Sequence, residues 1–186
     1  MDLADKTDEE VVVLVRGGDV DAFGTIVERY EQKLLRYARR FLFGADDAKD
    51  LVQDVFIKAY ANLQSFDVSR RFSPWLYRVA HNEFLNVIKS RRGKETFSIF
   101  DIDTLFPHPI AQETADARAN SQEIRDWMEK SLKSLDAKYR EPLVLYYFEE
   151  MNYQEVADIL QIPVSTVGVR LGRGRALLRK NIGRNE

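Results

Sequence analysis

The stretch NYQEVADILQIPVSTVGVRLGRGRALLRK, residues 152–180, constrains the fold of this chain more than any other. Asn152 followed three residues later by Glu155 is a capping-box start, in which each side chain satisfies the other's backbone N–H. The apolar spacing carries a short helix to about Leu160. Gln161-Ile162-Pro163 forces a turn, because a proline pushes the residue before it out of the helical region. Ser165 is positioned to cap a second helix running to about Lys180. Ala157 permits close approach of the two helices, and Val156, Leu160, Ile162, Val167 and Leu171 supply a small shared core. Two short helices joined this tightly form a helix-turn-helix.

The second helix is chemically asymmetric. With Val167, Leu171, Gly174 and Leu178 as its buried stripe, the far side carries Val169, Gly172, Arg173 and Ala176, flanked by Arg170, Arg175 and Arg179. Small residues beside arginines allow close approach to a groove while guanidinium groups reach base edges or phosphates. DNA docking is favoured over a merely solvated helix.

Before residue 95 the apolar period is also helical. Asp21 and Ala22 open a segment with Phe23, Ile26, Val27, Tyr30, Leu34, Tyr37 and Ala38 at steps of three and four. A second runs from about Asp46, with Leu51, Val52, Val55, Phe56, Ala59 and Leu63 on one face and Asp50, Gln53, Asp54 and Lys58 on the other. A third covers Pro74 to about Ser90, with Ser73 as the expected N-cap and Pro74 at the first helical position. Three such helices close one bundle. Residues 96–122 break the period with Pro107 and Pro109 and read as a flexible linker, although Phe97, Ile99, Phe100, Ile102, Leu105 and Phe106 are unusually apolar for a spacer. Helices are expected again over Ile124–Leu135 and Arg140–Glu149. The expected fold class is all-α: two small helical domains, 1–95 and 123–186, joined by that linker.

Composition excludes several functions. The chain of 186 residues has no cysteine, so disulfides and thiolate metal sites are unavailable, and a reducing compartment is expected. Its apolar runs fall far short of the roughly 20 residues of a spanning helix, and the acidic start MDLADKTDEE does not resemble a signal peptide. A cytoplasmic location follows as an expectation. The net charge of −2 conceals an uneven distribution: −5 over residues 1–30, +4 over 61–95 and +5 over 164–186. Local potential governs docking on phosphate, so the two basic islands matter more than the total.

One island surrounds SPWLYRVAHNEFLN, residues 73–86. Phe72, Trp75, Leu76, Val79, Ala80 and Val87 fit a core stripe, whereas Asn82 among Arg78, His81 and Phe84 fits a surface that stacks and reads unpaired bases. Both readings stand on the residues alone. Ile57, beside Asp50, Gln53 and Asp54, suits a protein interface, but a single exposed isoleucine is also ordinary surface. Catalysis finds little support: His81 and His108 are the only histidines, no Ser–His–acid order stands out, and no phosphate-binding glycine pattern occurs. The acids Asp46, Asp47, Asp50 and Asp54 fit an exposed helix better than a cation site. No cofactor and no small-molecule substrate are expected.

Four phrases, GDVDAFGTIVERY (18–30), DAKDLVQDVFIKAYANLQSFD (47–67), FSPWLYRVAHNEFLN (72–86) and YQEVADILQIPVSTVGVRLGRGRALL (153–178), together resemble the extracytoplasmic-function (ECF) group of bacterial RNA polymerase sigma factors. The resemblance implies sigma-two and sigma-four modules acting as a non-enzymatic polymerase subunit. Asp50, Gln53, Asp54, Ile57 and Lys58 would contact the clamp helices of the largest polymerase subunit, and the sigma-four module the flap of the second largest. Segment 66–86 would open the minus-10 element, with Asn82 in a base-capture pocket supported by Trp75, and with Arg71, Phe72, Arg78, His81, Lys89, Arg91 and Arg92 beside it. Ser165, Thr166, Val169, Arg170, Arg173 and Arg175 would serve the minus-35 element, and the linker would thread toward the polymerase interior. An anti-sigma factor, often membrane-tethered, would hold the protein inactive. The sequence departs from the family at Gly168, Val169 and Gly172, where fewer side chains reach bases. A free-standing helix-turn-helix regulator is the alternative on the residues alone.

Overall fold

A capping box at Thr7 opens the first helix, α1 (Asp8–Arg16): the Thr7 hydroxyl accepts the Glu10 N–H at 3.2 Å, and Glu10 Oε2 accepts the Thr7 N–H at 2.8 Å. Helical periodicity did not single out this element, because its centre is the run Val11–Val15, rich in β-branched residues that cost a few tenths of a kcal/mol each in a helix. Burial outweighs that cost. Val11 and Val12 are wholly buried, each contributing at least about 1.5 kcal/mol.

The computed structural model describes residues 3–42, 48–92, 132 and 135–182, and the chain divides into two compact units, Met1–Lys94 and Glu95–Glu186. The described residues are helical or lie in turns, without a strand. The linker expected over 96–122 lies outside them, as does most of the helix expected over 124–135; Leu132 and Leu135 are described and buried.

In the first unit α1 packs on α2 (Phe23–Leu42) and α4 (Phe72–Arg92), and α3 (Ala48–Asn62) packs on both α2 and α4. Ile26, Leu34 and Ala38 of α2, Val52, Val55 and Ala59 of α3, and Leu76, Ala80 and Phe84 of α4 form the core. Tyr37 is wholly buried, its ring against Tyr77 and Phe84 and its hydroxyl 3.3 Å from His81 Nδ1. The sequence placed the start of α4 at Pro74 with Ser73 as its cap. The helix instead begins at Phe72, because Glu9 Oε1 of α1 accepts the Phe72 N–H at 2.7 Å. Pro74 then sits within the first turn, where a missing N–H is harmless.

The second unit contains α5 (Ala137–Tyr147), α6 (Tyr153–Leu160) and α7 (Val164–Ile182). α5 starts before the expected Arg140, since Asp136 caps it by accepting the Lys138 N–H at 3.2 Å, and it stops short of Glu149. The capping box of α6 forms as the sequence indicates, with Asn152 Oδ1 accepting from Glu155 N at 3.0 Å and Glu155 Oε2 from Asn152 N at 2.9 Å. Gln161 ends the helix in the left-handed region, φ 54°, and Ile162 N–H returns to the Ala157 carbonyl. Helix α7 begins at Val164, so Ser165 lies inside its first turn rather than capping it.

Helix α7 crosses α5 closely at Gly174, where a Cβ would lie 2.8 Å from Leu143 Cδ1 and 3.3 Å from the Tyr139 carbonyl oxygen. Leu143 is itself wholly buried and has little room to yield. Gly172, half a turn away, meets nothing within 4 Å. Beside the crossing, Arg170 of α7 is only 6% exposed and interacts electrostatically with Glu141 of α5. Although residue Glu141 is only partly buried, its carboxyl is enclosed, and desolvation pushes its pKa up to about 8 against the pull of Arg140 and Arg170.

Gly174→Ala is expected to destabilise the second unit by about 1–3 kcal/mol through overpacking, whereas Gly172→Ala is expected to be neutral or to stabilise by up to about 1 kcal/mol; urea unfolding distinguishes them. Between the ordinary pKa of 4.5 and about 8, folded Glu141 retains a proton that the unfolded chain has released. Its contribution to stability is therefore fully present below that window and is lost as pH rises through it. Glu141→Gln is expected to flatten this dependence and to raise Tm relative to the parent most clearly above pH 8, as measured by thermal unfolding across pH.

Candidate nucleic-acid and polymerase interfaces

The α3–α4 connection is held by hydrogen bonds from several directions. Arg16, in the last turn of α1, donates from Nε to the Leu63 carbonyl at 3.0 Å and from Nη2 to the carbonyls of Leu63 and Phe66. Phe66 packs on Phe72 and Trp75 with ring centroids 5.4 and 5.3 Å away, and Phe72 also meets Tyr30. Asp67 Oδ1 accepts the Ser69 hydroxyl at 2.7 Å and its N–H at 3.0 Å, bonds that hold the Asp67 carboxyl below the usual carboxylate range. Arg70 Nε stands 3.7 Å from the same carboxylate. In the first turn of α1, Asp8 accepts from Arg29 Nη1 at 2.7 Å and from the Tyr30 hydroxyl; burial and this acid push the phenol well above its ordinary pKa. The connection is thus a built turn anchored at Phe66 and Phe72.

Beyond it, α4 separates the residues of the minus-10 set by burial. Arg78 and Asn82 are exposed one turn apart on one face of the helix, and Arg71, also exposed, lies immediately before its start. Trp75 is half-buried on the same side, fixed by Phe66 and Phe72. Phe72 is 0% exposed and His81 only 4%, so both belong to the core beneath that face and present no ring to the surface. Their positions follow from the aromatic cluster at Phe66 and from Tyr37. The side chains of Lys89, Arg91 and Arg92 lie outside the described residues.

On α3, Asp50, Gln53, Asp54 and Ile57 share an exposed face, with Ile57 66% exposed. Lys58 is also exposed, but its ammonium is paired with Glu83 of α4, adjacent to Asn82. No local spacing signals that pairing across helices.

On α7, Ser165 is exposed, and Thr166, Val169, Arg173 and Arg175 are partly exposed. Arg175 Nη1 donates to the Tyr147 hydroxyl at 3.3 Å, which fixes its stem against α5. Arg170 is the misplaced member: it is buried rather than flanking the open face. Helical geometry explains this, since Arg170 is rotated only about 60° from Val167 and about 40° from Gly174, both on the packed stripe. The exposed row is Ser165, Val169, Arg173 and Ala176, with Gly172 between.

Among the described residues no cluster of histidine and acidic side chains is arranged to hold a metal ion, and no helix is long and apolar enough to cross a membrane. Glu9 and Arg16 are the structural determinants that sequence reading missed. The Thr7 capping box signals their helix, but neither long-range partner has a local signature.

Residues 26–94 match the model of sigma-70 region 2, and residues 125–178 that of sigma-70 region 4. The chain is 36% identical over 181 residues to the ECF RNA polymerase sigma factor SigW of Bacillus subtilis, covering 90% of this chain and 92% of that protein. It is 31% identical to the ECF RNA polymerase sigma-E factor of Escherichia coli K12, with 95% and 94% covered. CnrH, solved with the cytosolic domain of CnrY, has a similar structure at TM-score 0.70 and 28% identity, over 97% of this chain and all of that one. The sigma factor RpoE of Bartonella quintana, solved with the anti-sigma factor NepR, follows at TM-score 0.64 and 27% identity, over 88% and 98%. With both regions present in order and the relatives matched over nearly their whole length, the chain belongs to the ECF family of RNA polymerase sigma factors.

Proposed function

We propose that this sigma factor distributes promoter-specific initiation over three exposed faces, supported above all by exposed Arg78 and Asn82 one turn apart on α4, with Arg71 just before its start, over a buried aromatic floor. The α3 face of Asp50, Gln53, Asp54 and Ile57 is the proposed dock for the polymerase core's clamp helices, where an exposed isoleucine ringed by polar groups gives an apolar anchor with a polar rim. Lys58 contributes at its edge while bound to Glu83.

The α4 face is the proposed minus-10 surface. The basic side chains hold the phosphate backbone, and the amide of Asn82 pairs with the edge of an unstacked base. Trp75 supports the capture pocket. Phe72 and His81 act from below by shaping this face. The exposed row of α7, from Ser165 through Val169 to Arg173, is the proposed minus-35 reader, with Thr166 and Arg175 toward the backbone and Arg170 acting through packing. Small side chains at Val169 and Gly172 favour close approach and methyl contact, so groove shape carries more of the readout.

In this reading the protein works in the cytoplasm without covalent chemistry of its own: binding energy drives strand opening, and polymerase makes the RNA. Two structural relatives were solved with the cytosolic domain of CnrY and with the anti-sigma factor NepR, which supports an inhibitory protein partner for this chain as well.

Transcription from genomic fragments by core polymerase with and without the protein tests the proposal. New RNA starts sharing two upstream elements are expected, and their absence refutes it. Asn82→Ala is expected to slow strand opening roughly tenfold or more while leaving closed-complex affinity nearly unchanged, by analogy with the loss of about 1–3 kcal/mol per captured base. Equal loss in both steps removes Asn82 from base capture. Arg173→Ala is expected to lower discrimination at one minus-35 position by about 1–3 kcal/mol, measured as initiation from a set of single-base promoter variants.

A further inference from the structure

We propose that Glu9 is a positioning residue for strand opening, holding the start of α4 so that the α4 face meets the unpaired strand already in register. The inference rests on the reading of α4 as the opening surface.

The segment between α3 and α4 has two anchors that come from outside it. At its start, Arg16 holds the Phe66 carbonyl and the Leu63 carbonyl, which also accepts the Phe66 N–H. At its end, Glu9 accepts the Phe72 N–H from a position 63 residues earlier in the chain. Both anchors project from α1, two turns apart, so one rigid helix fixes both ends of the turn. Between them the turn has its own order, from the Asp67 bonds to Ser69 and the ion pair with Arg70.

The Glu9 bond is the one that sets α4 itself. It fixes the first amide of the helix, so losing it frees the first turn, which carries Trp75 and adjoins Arg71, to shift on its core. Arg71 adjoins the bonded amide directly, and Trp75, Arg78 and Asn82 follow within three turns. None of the residues proposed to touch DNA contributes this hydrogen bond. Losing it leaves the aromatic core of the unit intact, because Phe66, Phe72 and Trp75 still pack on one another. The expected defect is therefore imprecise placement rather than unfolding.

The test uses the full chain with core polymerase, at a temperature well below every variant's Tm. Strand opening is followed by fluorescence of a base analogue in the minus-10 element, while core affinity and closed-complex affinity are measured separately. Glu9→Ala is expected to open roughly tenfold more slowly, the equivalent of one lost charge-assisted hydrogen bond, with both affinities unchanged. Glu9→Gln, whose amide oxygen accepts the same N–H without the charge, is expected to open faster than Glu9→Ala and within about threefold of the parent rate. If Glu9→Ala fails to fold, Glu9→Asp replaces it: one methylene shorter, it retains the charge but falls short of the amide, and slower opening is again expected.

Parent-like opening by the shortened variant overturns the proposal, as does a loss of core affinity in proportion to opening, which marks a general folding role. Asn82→Ala is run alongside. If it opens slowly while the Glu9 variants open normally, the positioning role alone fails. If Asn82→Ala itself opens normally, the reading of α4 fails and takes the positioning role with it.

Discussion

A nine-residue helix near the start of the chain holds both sides of the connection on which the first unit is organised. Arg16 donates to the Leu63 and Phe66 carbonyls just beyond the end of α3, and Glu9 accepts an amide where α4 begins. Helix ends are where backbone groups run out of partners, and partly buried ones are costly to leave unmatched. Supplying those partners from a third helix converts a local deficiency into a tertiary constraint. The aromatic cluster of Tyr30, Phe66, Phe72 and Trp75 then fills the space that the two anchors define.

The second unit reaches comparable definition by steric means. Gly174 brings α7 close against Leu143 and the Tyr139 carbonyl, while Gln161 sets the turn through a left-handed backbone. Arg170 and Glu141 occupy the same seam. Enclosing a carboxyl there is unfavourable when it ionises, and the two neighbouring arginines only partly relieve that. Polarity in this seam therefore contributes fit more than stability.

Much of the architecture could be read from the residues because it depends on local spacing. The Asn152–Glu155 capping box, the apolar stripes of α2 and α3, and the exposed row Asp50–Ile57 all follow from intervals of three and four. What escaped reading depended on residues distant in sequence. Ser73 was the better local cap, yet Glu9 overrode it from another helix. The valines of α1 favour extended structure in isolation and become helical through burial. Phe72 fitted a core stripe and entered the minus-10 set only through the resemblance, and His81 fitted either reading, because composition cannot tell which rings turn inward. Arg170 is different: its angle on the helix was computable, and its positive charge diverted attention from the packed stripe it shares with Val167 and Gly174.

On α7 the residues that hold the helix and those that face outward are nearly disjoint sets. Val167, Leu171, Gly174 and Leu178 carry the packing, while Gly172 lies in the outward row with open space around it. A codon change there can introduce a donor, an acceptor or a methyl group without disturbing the scaffold. On the proposed minus-35 reading of this row, promoter preference can diverge by substitutions that the fold does not register, and a regulon can be rewritten at this position while the regulator keeps its shape.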